Sequence, residues 1–344
     1  MRDWAELLRV SALFTVPGDA LAGGAATGLR ANRGTAYAIG ASLCLYEAGM
    51  ALNDWADREE DAVDRPHRPL PSGRIAPAAA LGAAGLLTAA GLLLAARAGR
   101  PAGAVATALA GTVWAYDLHL KHTPAAPAAM AAARALDLVL GATATASAHT
   151  PGRRPAATTG GARPTRALVP GTTPTRPARV TASATTRPAA VASAAAARAA
   201  TPRTALRVAA PAAALAAHTY AVTAVSRHEA RGGSTLAPLA ALGATAVLGT
   251  ATALGALRAP ERATPGLPPV LPAAAYVRTA AVPLLHAALN PSPHLTQRAV
   301  GGGIRAVIPL QAALAARSGA DVTGCCLLGL VPLARTLARK VSPT

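Results

Sequence analysis

The chain has 344 residues, of which 52% are hydrophobic and 14% charged, with a mean hydropathy of +0.34. Soluble globular domains carry about 25% charged residues, so this composition points into a membrane. The formal net charge of +18 would suit a nucleic-acid binder, but aromatic side chains make up only 3% of the chain, too few to stack bases.

Apolar blocks of about 20 residues, the length that crosses a bilayer, follow one another along the chain. They are Val10–Leu29, Thr35–Leu52, Ala76–Ala96, Ala102–Leu118, Ala126–Ala148, Ala205–Val225, Leu236–Leu257, Leu267–Leu289, Ile304–Ala316 and Val322–Leu337. The ninth is short and the eighth carries prolines and Arg278, so about nine crossings are expected. Period-2 alternation of β-branched residues is absent, which leaves an all-α, polytopic membrane bundle. Asp19 interrupts the first block and no basic-apolar-cleavage order precedes it, so that block is expected to be a retained span. Ser147–Arg203 holds nine arginines and no acid among Ala, Thr, Pro and Gly. Such a tract buries too little apolar area to fold and is expected to be a disordered insert. The domain plan is therefore a membrane domain in two parts, 1–146 and 204–344, separated by this insert over 147–203. Cys44, Cys325 and Cys326 all fall in apolar blocks and read as small core residues. A weak positive-inside bias puts Arg58–Arg74, Lys121–His122, Arg227–Arg231 and Arg298 on the cytoplasmic side.

The densest charge follows the second block, at Asn53-Asp54-Trp55-Ala56-Asp57-Arg58-Glu59-Glu60-Asp61-Ala62-Val63-Asp64. On a helix, Asn53, Asp54, Asp57, Asp61 and Asp64 recur at steps of three and four and share one face. Carboxylates about 6 Å apart repel by roughly 2–3 kcal/mol per pair at an effective dielectric near 20. Arg58 and Arg65 relieve that only in part, so the face suits a divalent metal. Oxygen-only ligands favour Mg²⁺, which commonly arrives with a phosphate-bearing substrate.

Asn53-Asp54-x-x-Asp57-x-x-x-Asp61 at the end of a second span resembles the first aspartate motif of the UbiA superfamily of intramembrane prenyltransferases. Asp64-Arg65-Pro66-His67-Arg68-Pro69-Leu70-Pro71-Ser72-Gly73-Arg74 is similar to the family's loop after that motif, and Tyr116-Asp117-x-x-x-Lys121 to its Tyr…Lys element. Within the superfamily the chain looks most like the EboC-type bacterial polyprenyltransferases, on Arg134–Gly141 and Val222–Gly233. The resemblance implies about nine membrane helices around a central cavity in a bacterial inner membrane. It implies Mg²⁺-dependent transfer of an isoprenoid group from its diphosphate to a lipophilic acceptor, often aromatic. Asp57, Asp61, Tyr116 and Lys121 would be catalytic. Asn53, Asp54, Asp57, Asp61 and Glu229 would hold metal, and Asn53, Asp54, Arg65, Arg68, Lys121, Arg227 and Glu229 would hold substrate.

Two departures stand out. The second aspartate motif reduces to Ser226-Arg227-His228-Glu229-Ala230-Arg231, with Glu229 its only acid, and the first-span Arg-Pro-x-Asn pattern is replaced by Arg9-Val10-Ser11-Ala12. A non-catalytic membrane carrier or partner subunit is therefore the alternative function. A soluble isoprenyl-diphosphate enzyme, suggested by Glu60-Asp61-x-x-Asp64, conflicts with the hydropathy. Elsewhere, Arg134 and Asp137 lie three apart inside a span and are expected to pair, and Asp19 is a candidate for an acceptor pocket. Arg278, His286 and His294 read as packing or membrane-edge residues, and Gly301-Gly302-Gly303 as punctuation between spans.

Overall fold

The computed structural model describes residues 2–149, 202–229, 232–258 and 270–341. Among these residues every regular element is helical. A short helix α1 (Arg2–Leu7) leads into a 3₁₀ segment, Val10–Thr15, and then α2 (Pro17–Ala26). Next come α3 (Arg33–Ala56), α4 (Arg58–Asp64), α5 (Pro77–Ala98), α6 (Arg100–Ala115), a π-helical turn over Tyr116–Leu120 and α7 (Ala126–His149). The second half holds α8 (Pro202–Ser226), α9 (Leu236–Leu257), α10 (Leu271–Leu289), α11 (Pro293–Arg317) and α12 (Asp321–Val341). The expected all-helical membrane bundle is what forms. Five helices (α5, α7, α8, α9 and α11) are long and apolar enough to cross a bilayer on those grounds alone, against the nine crossings expected. The insert expected over 147–203 lies almost wholly outside the described residues, as does Arg231.

Local chemistry explains several boundaries. Asn32 caps α3 through its side-chain oxygen, which accepts from the Gly34 and Thr35 amides, while Thr35 Oγ1 accepts from the Asn32 amide in return. Pro77, Pro101, Pro272 and Pro293 sit in first turns, where no intrahelical donor is lost. Ser292 opens α11 by accepting from the Leu295 amide at 3.4 Å.

Small residues set how closely the helices approach. One core cluster joins α8–α11 to α2 and α7 around Leu138, Leu215, Tyr276, Leu310 and Leu314, and another joins α3, α5, α6 and α7 around Leu45, Leu109 and Leu140. α11 is the most enclosed of the apolar spans. Gly301, Gly302 and Gly303 do not punctuate; they lie inside one continuous α11. A Cβ on Gly302 would come within 2.8 Å of Pro283, and one on Gly303 within 2.5 Å of Val222, so bare backbone lets α10 and α8 close on this helix.

α2 and α7 meet in the same way at Gly141, where a Cβ would sit 2.4 Å from the Ala20 backbone. Gly141→Ala should therefore lower the melting temperature of the purified protein, corresponding to about 1–3 kcal/mol of overpacking. Gly111→Ala, where nothing lies within 4 Å, should leave it unchanged.

Candidate active site

The acidic segment closes one end of the bundle. α3 stops at Ala56, Asp57 adopts a non-helical turn (φ −87°, ψ 2°), and α4 resumes at Arg58. That break changes which carboxylates share a face. Asp54 and Asp61 are buried, Asp57 is nearly so, and Asp64 turns outward and is exposed. The expected five-residue face therefore loses Asp64.

Each inward carboxylate has a cation. Arg9 Nη2 donates to Asp54 Oδ1 at 3.0 Å, and Arg68 lies 3.5 Å from the same oxygen. Arg68 Nη1 also donates to Asp61 Oδ2 at 2.7 Å, and Arg65 Nη1 to Asp61 Oδ1 at 3.2 Å. Lys121 Nζ donates to Asp57. The π turn at the end of α6 makes this reach possible, because its wider spiral carries Lys121 past Tyr116, whose carbonyl accepts the Lys121 amide at 3.0 Å. Asn53 Nδ2 donates to Asp117 Oδ1 at 3.2 Å, so the buried Asp117 joins the cluster.

The loop after α4 is held as firmly as the helices. Leu70 and Ile75 are buried against Leu7 of α1, and Arg74 ties the loop to Asp3 and Glu6. Arg58 stacks on Trp55 at 4.7 Å, donates to its carbonyl and pairs with the exposed Glu59 at 3.0 Å, so the inward aspartates are left to other cations. The second half contributes Arg227, whose Nη1 donates to the Thr123 carbonyl at 3.0 Å. Burial pushes the Glu229 carboxyl above its usual range, and the Arg65 charge opposes that shift only partly.

Beneath the mouth lies a cavity of about 270 Å³. Arg9, Asn53, Tyr116 and Asp117 line its upper end, and Leu45, Met50, Leu109, Val113 and Met130 supply apolar wall. Ser42, Arg134 and Asp137 line it farther down. From Ser42 to Asn53, α3 rises about 16 Å at 1.5 Å per residue. The floor is an interior charge network. Arg134 pairs with Asp19 of α2 and not with Asp137, its expected partner. Asp137 instead accepts from Ser42 Oγ. Gln311 Nε2 donates to Asp19 Oδ1 and to the Thr15 carbonyl, both at 2.7 Å. Asp19 is thus a tie between α2, α7 and α11 and no part of the cavity lining.

Among the described residues, one group of donors meets the spacing a metal requires: Asp57, Glu60 and His122 each place a ligand atom within 4.8 Å of the others. Of the residues expected from sequence, the mouth brings together Asn53, Asp54, Asp57, Asp61, Arg65, Arg68, Tyr116 and Lys121. Arg227 and Glu229 approach from the second half. Sequence reasoning passed over Arg9, Glu60, Asp117 and His122. Asp117 carried a signal, being the second residue of the Tyr116…Lys121 element, and Arg9 a partial one, standing at the arginine of the otherwise missing Arg-Pro-x-Asn pattern, although its partner lies 45 positions away.

Residues 11–162 match the model of the UbiA prenyltransferase family. Over that stretch, less than half of its length, the chain is similar to this family. Similar curated proteins include the digeranylgeranylglyceryl phosphate synthase of Methanopyrus kandleri, 33% identical over 129 residues, which are 36% of this chain and 46% of that protein. The synthase of the same name from Natronomonas pharaonis is 36% identical over 88 residues, 23% of this chain and 29% of that one. The matched segments thus span less than half of either relative. A UbiA homologue from Aeropyrum pernix K1 shares the fold, with a TM-score of 0.58 at 14% identity over 88% of this chain and 96% of that one. The relatives carry the family-level reading but not the narrower EboC-type one.

Two measurements test this geometry. Asp19→Ala leaves the Arg134 guanidinium without its carboxylate and should cost about 3–5 kcal/mol in denaturation. Asp19→Leu combined with Arg134→Met should recover most of that loss. Burial raises the folded-state pKa of Glu229 above its unfolded value, so ionising it costs stability at neutral pH. Glu229→Gln should therefore melt higher than wild type at neutral pH. That gap should close as the pH falls through the raised pKa toward the ordinary carboxylate range.

Proposed function

We propose that this UbiA-like membrane protein transfers an isoprenoid group from its diphosphate to an acceptor at the mouth of the helical bundle. The observation that carries the reading is the stacking of two environments along one cavity: a ring of carboxylates and cations above an apolar chamber. A diphosphate suits the ring and a hydrocarbon tail suits the chamber.

The donor chemistry at the mouth fits a divalent cation. Asp54, Asp57 and Asp61, with Glu60 and His122 beside Asp57, are the groups that would hold it, and Asn53 and Glu229 lie alongside. When bound, Mg²⁺ supplies charge that stabilises the departing diphosphate. Arg65, Arg68 and Lys121 are the residues that would reach the phosphate oxygens, exchanging their present carboxylate partners for substrate. Arg227 would add to them from the second half. The bond between the prenyl carbon and the diphosphate oxygen breaks, the acceptor oxygen or carbon bonds to that prenyl carbon, and the acceptor loses a proton. Tyr116, lining the cavity at the level of Asn53, presents a ring where positive charge builds on the prenyl carbon. The apolar walls exclude the water that would capture it.

For the acceptor, the curated relatives redirect the expectation. They are named for a glyceryl phosphate product, which favours a hydroxyl-bearing phosphate lipid over an aromatic ring. Arg9 at the cavity's upper end supplies a cation of the right kind for such a head group. The EboC-type assignment, with its polyprenyl chemistry, is the narrower alternative within the same family.

Turnover of radiolabelled prenyl diphosphates in membranes tests the reading. Wild type should be active with Mg²⁺ and silent in chelator. Asp57→Ala should lose about a hundredfold or more of the activity, on the scale of removing one transition-state charge contact. Unchanged activity in Asp57→Ala would remove the mechanism. A wild type inactive with every donor from geranyl to long polyprenyl would favour the non-catalytic carrier.

A further inference from the structure

The opposite end of the bundle carries a second charged concavity. α2, α9 and α11 finish there and α8 begins there, about 36 Å from the aspartates along α3 at 1.5 Å per residue. A cavity of about 530 Å³ opens between these ends. Arg207 near the start of α8, Arg258 at the C-cap of α9 and Arg317 in the last turn of α11 all line it. Among the described residues no acidic side chain lines it, and none of the three arginines has a salt bridge.

The arginines are aimed by the packing. The stem of Arg317 lies across Gly255, where a Cβ would fall 2.7 Å from its Cδ. Arg207 Nη1 lies 3.7 Å from where a Cβ of Gly28 would be, on the far wall. Ser318 adds a hydroxyl to the lining.

Helix ends account for part of the charge. The C-termini of α2, α9 and α11 contribute about −0.5 each and the N-terminus of α8 about +0.5, so with three guanidinium groups a surplus of about +2 remains. Asp321 lines only the adjoining cavity, which shares Gly28, Ser318 and Gly319 with this one. Arginines that merely anchor a membrane protein spread along its rim with their heads in water. Three lining one cavity from different walls provide the planar, multidentate donors that a tetrahedral oxyanion accepts.

We propose that Arg207, Arg258 and Arg317 form a binding site for a phosphate-bearing anion on the membrane face opposite the aspartate mouth. The anion has two sources, the phosphodiester head group of an anionic lipid in that leaflet or soluble phosphate. The site stands independently of the transferase reading.

The test uses the full chain in nanodiscs of phosphatidylcholine, with thermal melting as the readout. One arm replaces part of the lipid by phosphatidylglycerol. The other keeps phosphatidylcholine and titrates inorganic phosphate against chloride at matched ionic strength. At least one probe should raise the melting temperature of wild type. Arg207→Gln/Arg317→Gln should need at least about tenfold more of that probe for the same effect, the scale of losing one charge-assisted contact. Arg97→Gln/Arg100→Gln, on the same face but outside the cavity, should respond as wild type does. Should the first double variant not fold, Arg207→Gln alone, at an exposed position, is expected to weaken the response about threefold. A response to phosphatidylglycerol alone identifies the lipid, and one to phosphate alone identifies the soluble anion. Wild type indifferent to both probes overturns the site, as does equal stabilisation of wild type and the cavity variants. An equal loss in Arg97→Gln/Arg100→Gln would reduce the effect to general surface charge.

Discussion

Charge buried at the edge of an apolar bundle has to be neutralised nearby, and the rest of this structure is arranged around that requirement. Asp54, Asp57 and Asp61 present three carboxylates from the end of α3 into α4, and Arg9, Arg65, Arg68 and Lys121 meet them from three separate places in the sequence. One of these cations precedes the first span, two sit on the loop after α4, and one follows the π turn. The carboxylates therefore fix the relative positions of α3, α6 and the N-terminal segment as much as apolar packing does. Asp117, Glu60 and Glu229 add further acid beside these three carboxylates, so the four cations are matched within the mouth. Substrate binding on this plan is an exchange of partners within an assembled set.

Interior polar groups follow the same rule with less tolerance, because lipid offers no competing hydrogen bonds. Asp19 accepts from both Arg134 and Gln311, and Asp137 from Ser42. These contacts link α2, α3, α7 and α11 directly beneath the cavity. α2 and α7 carry the first half of the bundle, and α11 is the buried centre of the second. The network is thus where the two halves are registered against each other. His218 does similar work higher in the second half, bonded to Tyr276 Oη at 3.1 Å and to the Gly303 carbonyl at 3.0 Å. That second contact uses the close approach which Gly303 permits.

Residues that act locally were legible in the sequence, and those that act across it were not. The apolar blocks gave the helices, since a span is a property of about 20 consecutive residues. The acidic motif and its loop were legible for the same reason, being one continuous stretch. Asp64 was misjudged because a unit helix period was carried through Asp57, where the backbone turns. Gly301-Gly302-Gly303 was misread because isolated glycine runs signal turns in water, whereas in a membrane bundle the lack of a Cβ is an interface property. The Arg134–Asp137 pairing failed because three-residue spacing makes two side chains neighbours without making them partners. Asp19, more than a hundred positions away, offers Arg134 a fully buried carboxylate. Arg9 stood out only as the remnant of a broken pattern and His122 not at all, since their contacts exist only once distant segments meet.

Glu229, the acid that the second half brings to the mouth, gains significance from what surrounds it. A site with two full aspartate clusters could neutralise a diphosphate with metal from both sides. Here Glu229 is alone, and it lies within the influence of Arg65, the cation that also pairs with Asp61. Arg227, two positions earlier, is anchored on the Thr123 carbonyl in the loop that follows Lys121. The second half therefore meets the first through guanidinium groups, with one carboxylate among them. On the proposed reading, Arg227 would add a cation to the phosphate from the second half, while the carboxylates that would hold metal lie in the first. That asymmetry would hold a diphosphate in one orientation, with the ester oxygen on the side nearest Tyr116 and the chamber. It also follows from charge balance, because a second carboxylate cluster would have required cations that Arg65 and Arg227 already commit elsewhere.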